Sequence, residues 1–252
     1  MLLAVFLCGR VPAERIPDPD TIIRRSTEAN RADWAAATRY ASTERVRDDE
    51  GSKTYDVTML FGTPYKRLTA IDGTPLSPEL RQEEARKLAT EQDARRRESR
   101  EERADRLGEY QKDRERAHQI IDEMPKAFNY RLRGMRRAAG HTVYVLEATP
   151  RAGYEPPTIA TRVLTGMRGE FWIDADSFHW VKAMAWTVRP VSIGGILARV
   201  EAGAELELEQ MPLGDGVWLP RHYQIRSHSR LLWLFPHHID EEHTYSDYQR
   251  VD

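Results

Sequence analysis

The strongest constraint in this sequence is a succession of short stretches in which apolar and polar residues alternate, each closed by a turn signal. Lys53 to Phe61 places Tyr55, Val57, Met59 and Phe61 on one side and Asp56 and Thr58 on the other. A period of two marks a half-buried strand. Tyr40 to Arg47 and Tyr65 to Ile71 flank it across Asp48-Asp-Glu-Gly51 and Gly62-Thr-Pro64. The three predict an antiparallel meander. Further strands are expected at Phe128 to Arg133, Thr142 to Ala148, Gly169 to Asp174, Phe178 to Val188, Gly203 to Glu209, Val217 to Arg226, Ser229 to Phe235 and Ile239 to Val251. About ten sequential antiparallel strands do not stay flat. They curl into a barrel or split into two sheets.

One segment breaks this pattern. From Arg81 through Gln119, 23 of 39 residues are charged. Ser77-Pro78-Glu79 opens it as a helix start, with Ser77 as the cap. A continuous helix from Pro78 to Met124 would be about 70 Å long. Leu80 and Leu88 mark an apolar stripe at its beginning, and Leu107, Tyr110, Ala117 and Ile121 one at its end. Both ends are therefore expected to dock. The middle is a solvated stretch of Glu/Arg pairs that projects or breaks into a hairpin. A second helix is expected from Pro17-Asp-Pro-Asp20 to about Ala37, with Asp20 as a capping residue.

Charge and cysteine usage exclude several classes. The net charge is −2, which rules out a surface-wide nucleic-acid-binding field. The acids of the charged helix nearly cancel its bases, and few aromatics interleave to stack bases, so nucleic acid is not expected as a partner. A single cysteine, Cys8, excludes a disulfide framework and a Cys-based zinc site within the chain. No run approaches the roughly 20 apolar residues that span a bilayer. The first residues, Met1-Leu-Leu-Ala-Val-Phe-Leu-Cys8, are apolar, and Val11-Pro-Ala13 offers the small side chains of a cleavage site. Residues 1–13 thus read as the remnant of a signal peptide, or else as a disordered or core-docked end. A lipid-anchoring motif at Cys8 is poor because Leu7 is bulky. The remainder, 14–252, is expected to be one domain carrying the helical insertion 78–124.

Catalytic and metal motifs are weak. His237-His-Ile-Asp-Glu-Glu-His243 misses the His-x-x-Glu-His zinc pattern by one residue and falls in a loop entering a strand. His222 and His228 read as solvated strand residues. Asp174 and Asp176 follow a strand and suit a turn, where carboxylates accept from backbone amides. No nucleophile elbow, phosphate loop or dinucleotide glycine pattern is present. The chain is read as a non-enzyme without cofactor or metal.

Large apolar side chains are numerous on the strands, among them Trp172, Trp180, Trp186, Trp218 and Trp233. Phe178, Trp180, Met184 and Trp186 fall on one face of their strand, interrupted by Lys182. Such faces either fill a core or line a groove for a lipid or acyl chain. The C-terminal half carries Gly169-Glu-Phe-Trp-Ile-Asp174, Phe178-His-Trp-Val-Lys182 and Gly216-Val-Trp-Leu-Pro220, in the order helix, meander, helical excursion, strands. In this the chain resembles the LolA/LolB-like periplasmic superfamily, which includes RseB-type sensors. The resemblance implies an α+β fold. In it, a curved antiparallel sheet of ten or eleven strands forms an incomplete β-barrel, with the helices as a lid. It also implies a periplasmic carrier or sensor of lipid or lipoprotein acyl chains. The bulky faces supply the expected lining: Tyr55, Val57, Met59 and Phe61, with Phe178, Trp180, Met184 and Trp186. The alternative is an envelope interaction module in which the barrel is filled and the charged helix contacts a partner protein. The charged helix is longer than the family's lid, and no arginine here can be matched to the one that holds the lid of the lipoprotein carrier.

Overall fold

The computed structural model describes residues 16–193, 198–231 and 235–251. The apolar N-terminal run with Cys8, the Gly194-Gly195 turn and Trp233 lie outside them. The chain opens with α1 (Pro19–Ala36) and four strands, β1 (Tyr40–Asp48), β2 (Gly51–Leu60), β3 (Thr63–Ile71) and the short β4 (Thr74–Pro75). Two helices follow, α2 (Pro78–Arg97) and α3 (Arg100–Ala127). Next come β5 (Phe128–Ala138), β6 (His141–Pro150), β7 (Met167–Asp174) and β8 (Trp180–Thr187). The hairpin β9 (Val191–Ile193) and β10 (Ala198–Val200) precedes β11 (Glu205–Pro212), β12 (Trp218–Leu231) and β13 (Phe235–Arg250).

All the strands belong to one antiparallel sheet with the order β4-β3-β2-β1-β13-β12-β11-β8-β7-β6-β5, and the β9–β10 hairpin joins β12. The sheet is not closed, because β4 and β5 are its two ends. The predicted strands are present with shifted ends. One difference is topological: the stretches expected as separate strands around Val217–Arg226 and Ser229 merge into a single long β12. His228 continues the β12–β13 ladder opposite His238, so no turn separates them.

α1 is capped by Asp18, not Asp20: the Asp18 carboxylate accepts from the Thr21 amide at 2.9 Å. Pro19 then occupies the first helical position, where the missing N–H costs nothing. The charged segment is two helices, not one. Ser99 caps α3 through a reciprocal capping box, its hydroxyl accepting from the Glu102 amide while the Glu102 carboxylate accepts from the Ser99 amide. Ser-x-x-Glu satisfies two orphan donors at a helix start, so it begins a new helix inside a sequence otherwise uniform in helix formers. Ser99→Ala is expected to cost about 1 kcal/mol in chemical denaturation, with faster amide exchange in the first turn of α3.

The break sits over the β2–β3 turn. From α2, the Arg95 guanidinium donates to the Leu60 carbonyl at 2.6 Å and to the Thr63 hydroxyl at 2.8 Å, and its Nε bonds Glu91. From α3, Arg106 donates to the same hydroxyl at 2.9 Å and to the Phe61 carbonyl at 3.3 Å, and pairs with Glu98. Gly62 completes the turn at φ +93°, where a Cβ would also come within 2.8 Å of Leu107. The start of the charged segment was expected to dock through its leucines. Leu80 is exposed and no residue of α2 is fully buried, while Leu88 is half-buried on the side of Val57 and Tyr65, and polar contacts along β3 supply the rest of the hold. Glu84 accepts from the Leu68 amide on that strand's outer side at 3.3 Å. A side chain thus satisfies an edge donor that no strand pairs.

α3 then crosses from the β2–β3 turn to β5. Its last turns enter the main core, where Met124 and Ala127 pack with Ile22 and Ile23 of α1 and with Phe128, Leu146, Phe171, Ile173 and Trp180 of the sheet. The face of the sheet that these helices cover is the helix-bearing face. α1 and α3 are tied by Trp34 stacked on His118 at 4.7 Å and by Arg31 paired with Asp122 at 2.6 Å. A smaller cluster of Val143, Val145, Val181 and Trp218 lies on the opposite face.

Candidate ligand groove

Pairing across strands fixes which side chains share a face. Ala183 lies opposite both Phe171 of β7 and Leu208 of β11, and Ala185 opposite Gly169 and Leu206. These residues belong to the helix-bearing face, since Phe171 and Ala183 lie in the core shared with α1 and α3. Lys182, Met184 and Trp186 pair with Glu209, Glu207 and Glu205, and so belong to the other face. The ladder is interrupted between Trp172 and Ile173, so that Ile173 meets Trp180 while Trp172 meets Lys182. The bulge inserts one residue into β8 and returns Trp180 to the helix-bearing face. Beyond a bulge, every later side chain swaps sides relative to strict alternation.

The result is an apolar groove of about 350 Å³ between the end of α3 and β7, β8, β11 and β12. That lies within the roughly 300–1,000 Å³ of small-ligand sites. Ile120, Ile121 and Met124 form its roof, and Phe171, Trp180, Leu206 and Leu208 its walls. Its floor is made of small residues: Gly169, Ala183 and Ala185. A Cβ at Gly169 would stand 2.9 Å from the Met184 carbonyl and 3.2 Å from the Phe171 ring, so the floor leaves no room for a side chain there. The space exists because small residues face each other across β7 and β8 while large ones stand around them.

The same face continues across the sheet and changes character. Leu208 is opposite Tyr223, which is opposite His243; Tyr245 is opposite Glu44, which is opposite Tyr55. The buried Glu44 carboxylate takes Lys66 at 2.5 Å and His243 Nδ1 at 2.9 Å. Burial opposes ionisation of Glu44, but hydrogen bonds from His243 and Lys66 outweigh it and hold the carboxyl below 4.5. The bond to Glu44 raises His243 above 6.5 against its desolvation, with help from Glu241. The folded state thus binds the His243 proton more tightly, and that stabilisation is lost as pH rises through the raised value. The Glu44 contribution is lost as pH falls through its lowered value. The stability of the native chain over His243→Gln is therefore expected to be largest between pH 4.5 and 6.5 and to shrink toward pH 8, read by urea titrations across that range. A pH-independent difference would show that the pair does not titrate as a unit.

Of the residues proposed from sequence as a lining, Trp180 lines this groove. Phe178 occupies the turn before β8 at φ 64°, buried in the same core beneath the Arg25 guanidinium at 3.6 Å. Tyr55, Val57 and Met59 share the side of β2 that pairs with Glu44, at the polar end of the face. Phe61 lies just beyond β2 in the turn, at φ 48°, its carbonyl held by Arg106. Met184 and Trp186 are on the opposite face, where Trp186 is 38% exposed. Lys182, which interrupted the apolar pattern, pairs there with Glu207 at 2.5 Å and Glu209 at 3.3 Å. In the sequence that lysine marks only an interruption of the apolar pattern; the register that sets Ala183 opposite Leu208 and Ala185 opposite Leu206 comes from pairing between strands.

The polar motifs find structural partners. Asp174 accepts from the Ser177 amide at 2.8 Å, the Ser177 hydroxyl at 2.7 Å and the Asp176 amide at 3.2 Å, as its turn position implied. Its other oxygen lies 3.0 Å from His141. Burial opposes its charge, but the Ser177 bonds hold it below 3.8. His222 faces Glu242 at 3.2 Å. Asp49, His238 and Asp240 bring ligand atoms within 4.8 Å of one another, with Asp49 and His238 exposed. No helix among the described residues is long and apolar enough to cross a membrane.

No family model matches the chain, and no curated protein matches its sequence. Among solved structures it is similar to a DUF1329 family protein from Desulfovibrio piger, at 12% identity and TM-score 0.34, covering 93% of this chain and 94% of that one. It is similar to a putative outer membrane lipoprotein-sorting protein domain from Vibrio parahaemolyticus, at 10% identity and TM-score 0.32, covering 90% and 93%. It is also similar to the MucA/MucB complex structure from Pseudomonas aeruginosa, at 12% identity and TM-score 0.27, covering 92% and 99%.

Proposed function

We propose that this chain is a non-enzymatic protein of the bacterial periplasm that holds a lipid or lipoprotein acyl chain in the groove beneath α3. The sheet then acts as an incomplete barrel, and α1 and the end of α3 as its lid. The observation that carries this reading is the composition of the groove, with an apolar roof and walls over a floor of glycine and alanine. Burial of each methylene contributes about 0.8 kcal/mol, so a long chain binds there without polar chemistry. Trp180 and Phe171 are aromatic contacts of the ligand, and Tyr55, Val57 and Met59 extend the same face toward β2. The test is native mass spectrometry with lipid extraction on the chain from Glu14 onward, expressed in a bacterial periplasm. A co-purifying or added acylated molecule is expected to bind. A mass that stays unliganded in the presence of added fatty acid and phospholipid sinks the carrier reading.

A second reading is favoured by α2, which has no buried residue and offers Arg81, Arg86 and Arg97 to solvent. In that reading the helix is a contact arm for an envelope protein and the groove is packing space. Reversing these three charges would then abolish partner capture, and the unaltered chain would take up no added lipid.

A further inference from the structure

The two ends of the sheet are finished differently. At one end, α2 runs beside β3, and Glu84 meets an outward-facing amide. At the other end, β5 pairs only with β6 among the described residues. Alternate backbone amides and carbonyls of an antiparallel edge strand point away from its neighbour and remain free for pairing. β5 is 11 residues long; Phe128 joins the core, the Tyr130 hydroxyl reaches the Met124 carbonyl, and the Leu132 side chain packs against the same core, all through side chains on the covered face or at the start of the strand.

The free part carries concentrated charge. Arg131, Arg133, Arg136 and Arg137 are all exposed, and no Asp or Glu occurs from 128 to 140. The acid facing them on β6 is Glu147, 3.6 Å from Arg133. Arg137 bonds the neutral Thr142 hydroxyl at 3.3 Å, and Arg136 lies 5.9 Å from the centre of the Trp172 ring. This strip is positive in a chain whose net charge is −2 and whose charged helices carry acids among their bases. Arginines and the bulge between Leu132 and Gly134 discourage pairing of this edge with a second copy of itself. The same charges favour a strand of opposite sign, since a partner is selected by what the edge repels as well as by what it attracts.

We propose that the outer edge of β5, from Arg131 to Ala138, is a strand-addition site for an extended acidic peptide segment of a partner protein. Main-chain hydrogen bonds supply the affinity, and the arginines choose the sign of the side chains beside them. The site is separate from the groove and stands whether or not the groove holds lipid.

The test uses the whole chain and a nine-residue peptide of alternating Glu and Val, labelled for anisotropy, with amide exchange of β5 as a second reading. Binding at low salt is expected, with slowed exchange at alternate amides of Arg131–Ala138. The same peptide N-methylated at alternate residues keeps its charge but cannot complete the ladder, and is expected to bind at least about tenfold more weakly. The Arg131→Glu/Arg133→Glu/Arg136→Glu chain, checked for an unchanged melting curve, is expected to lose the acidic peptide and gain one of alternating Lys and Val. Equal binding of the N-methylated peptide without exchange protection would reduce the strip to a diffuse charge effect and overturn strand addition. No binding of the parent peptide would leave the arginines only a guard against self-pairing, and overturn it as well.

Discussion

Ala185→Trp is expected to fold and to lose uptake of an acyl ligand. The position is on the groove floor, opposite Gly169 and Leu206, so an indole there enters the open space rather than the packed core. If the indole displaces about four methylenes of a bound chain, the loss is about 3 kcal/mol, or roughly a hundredfold in affinity. Trp186→Glu is the matched control, because it changes the next residue on the opposite face and is expected to leave binding within about twofold. Fluorescent fatty-acid titration reads both. Unchanged affinity in Ala185→Trp, with the melting curve preserved, would place the ligand elsewhere or remove it altogether. Equal losses in the two variants would point to general destabilisation instead.

The second large effect concerns the clamp on the β2–β3 turn. Arg95→Ala and Arg106→Ala each remove a guanidinium from the buried Thr63 hydroxyl and leave a carbonyl, of Leu60 or Phe61, without that donor. Each is expected to cost about 2–4 kcal/mol in urea unfolding, since hydrogen bonds from charged groups to enclosed acceptors are expensive to break one-sidedly. The double variant should cost less than the sum by about 1 kcal/mol, because both act on one hydroxyl. Arg95→Lys should not rescue: a single ammonium cannot serve Leu60, Thr63 and Glu91 together as the planar fork does. Faster amide exchange throughout α2 should accompany the loss. Strict additivity with small single effects would show that the turn holds without the arginines.

Local features of the fold were legible where the information is local. Alternation over Lys53–Phe61 and Gly203–Glu209 announces strands because side chains on an extended chain must alternate sides. The Asp174–Ser177 turn was readable from a carboxylate placed two and three residues before the amides it accepts. The Ser99-x-x-Glu102 box that divides the charged segment into α2 and α3 is also local, but the reading of one helix from Pro78 to Met124 passes over it.

The groove was not legible in this way. Strict alternation from Phe178 puts Trp180 with Met184 and Trp186, and one inserted residue in β8 separates them onto two faces. A bulge depends on what the neighbouring strand must satisfy, so it is decided by pairing with β7 and not within β8.

The sequence by itself determined most of the strands, several of the turns and the long polar excursion, because periodicity and turn chemistry act over a few residues. Only the tertiary structure decided that Gly169, Ala183 and Ala185 meet beneath Ile120, Ile121 and Met124, and that Glu44 meets Lys66 and His243. Those meetings depend on strand register and on where α3 crosses the sheet, and register is settled by packing between segments up to 199 residues apart.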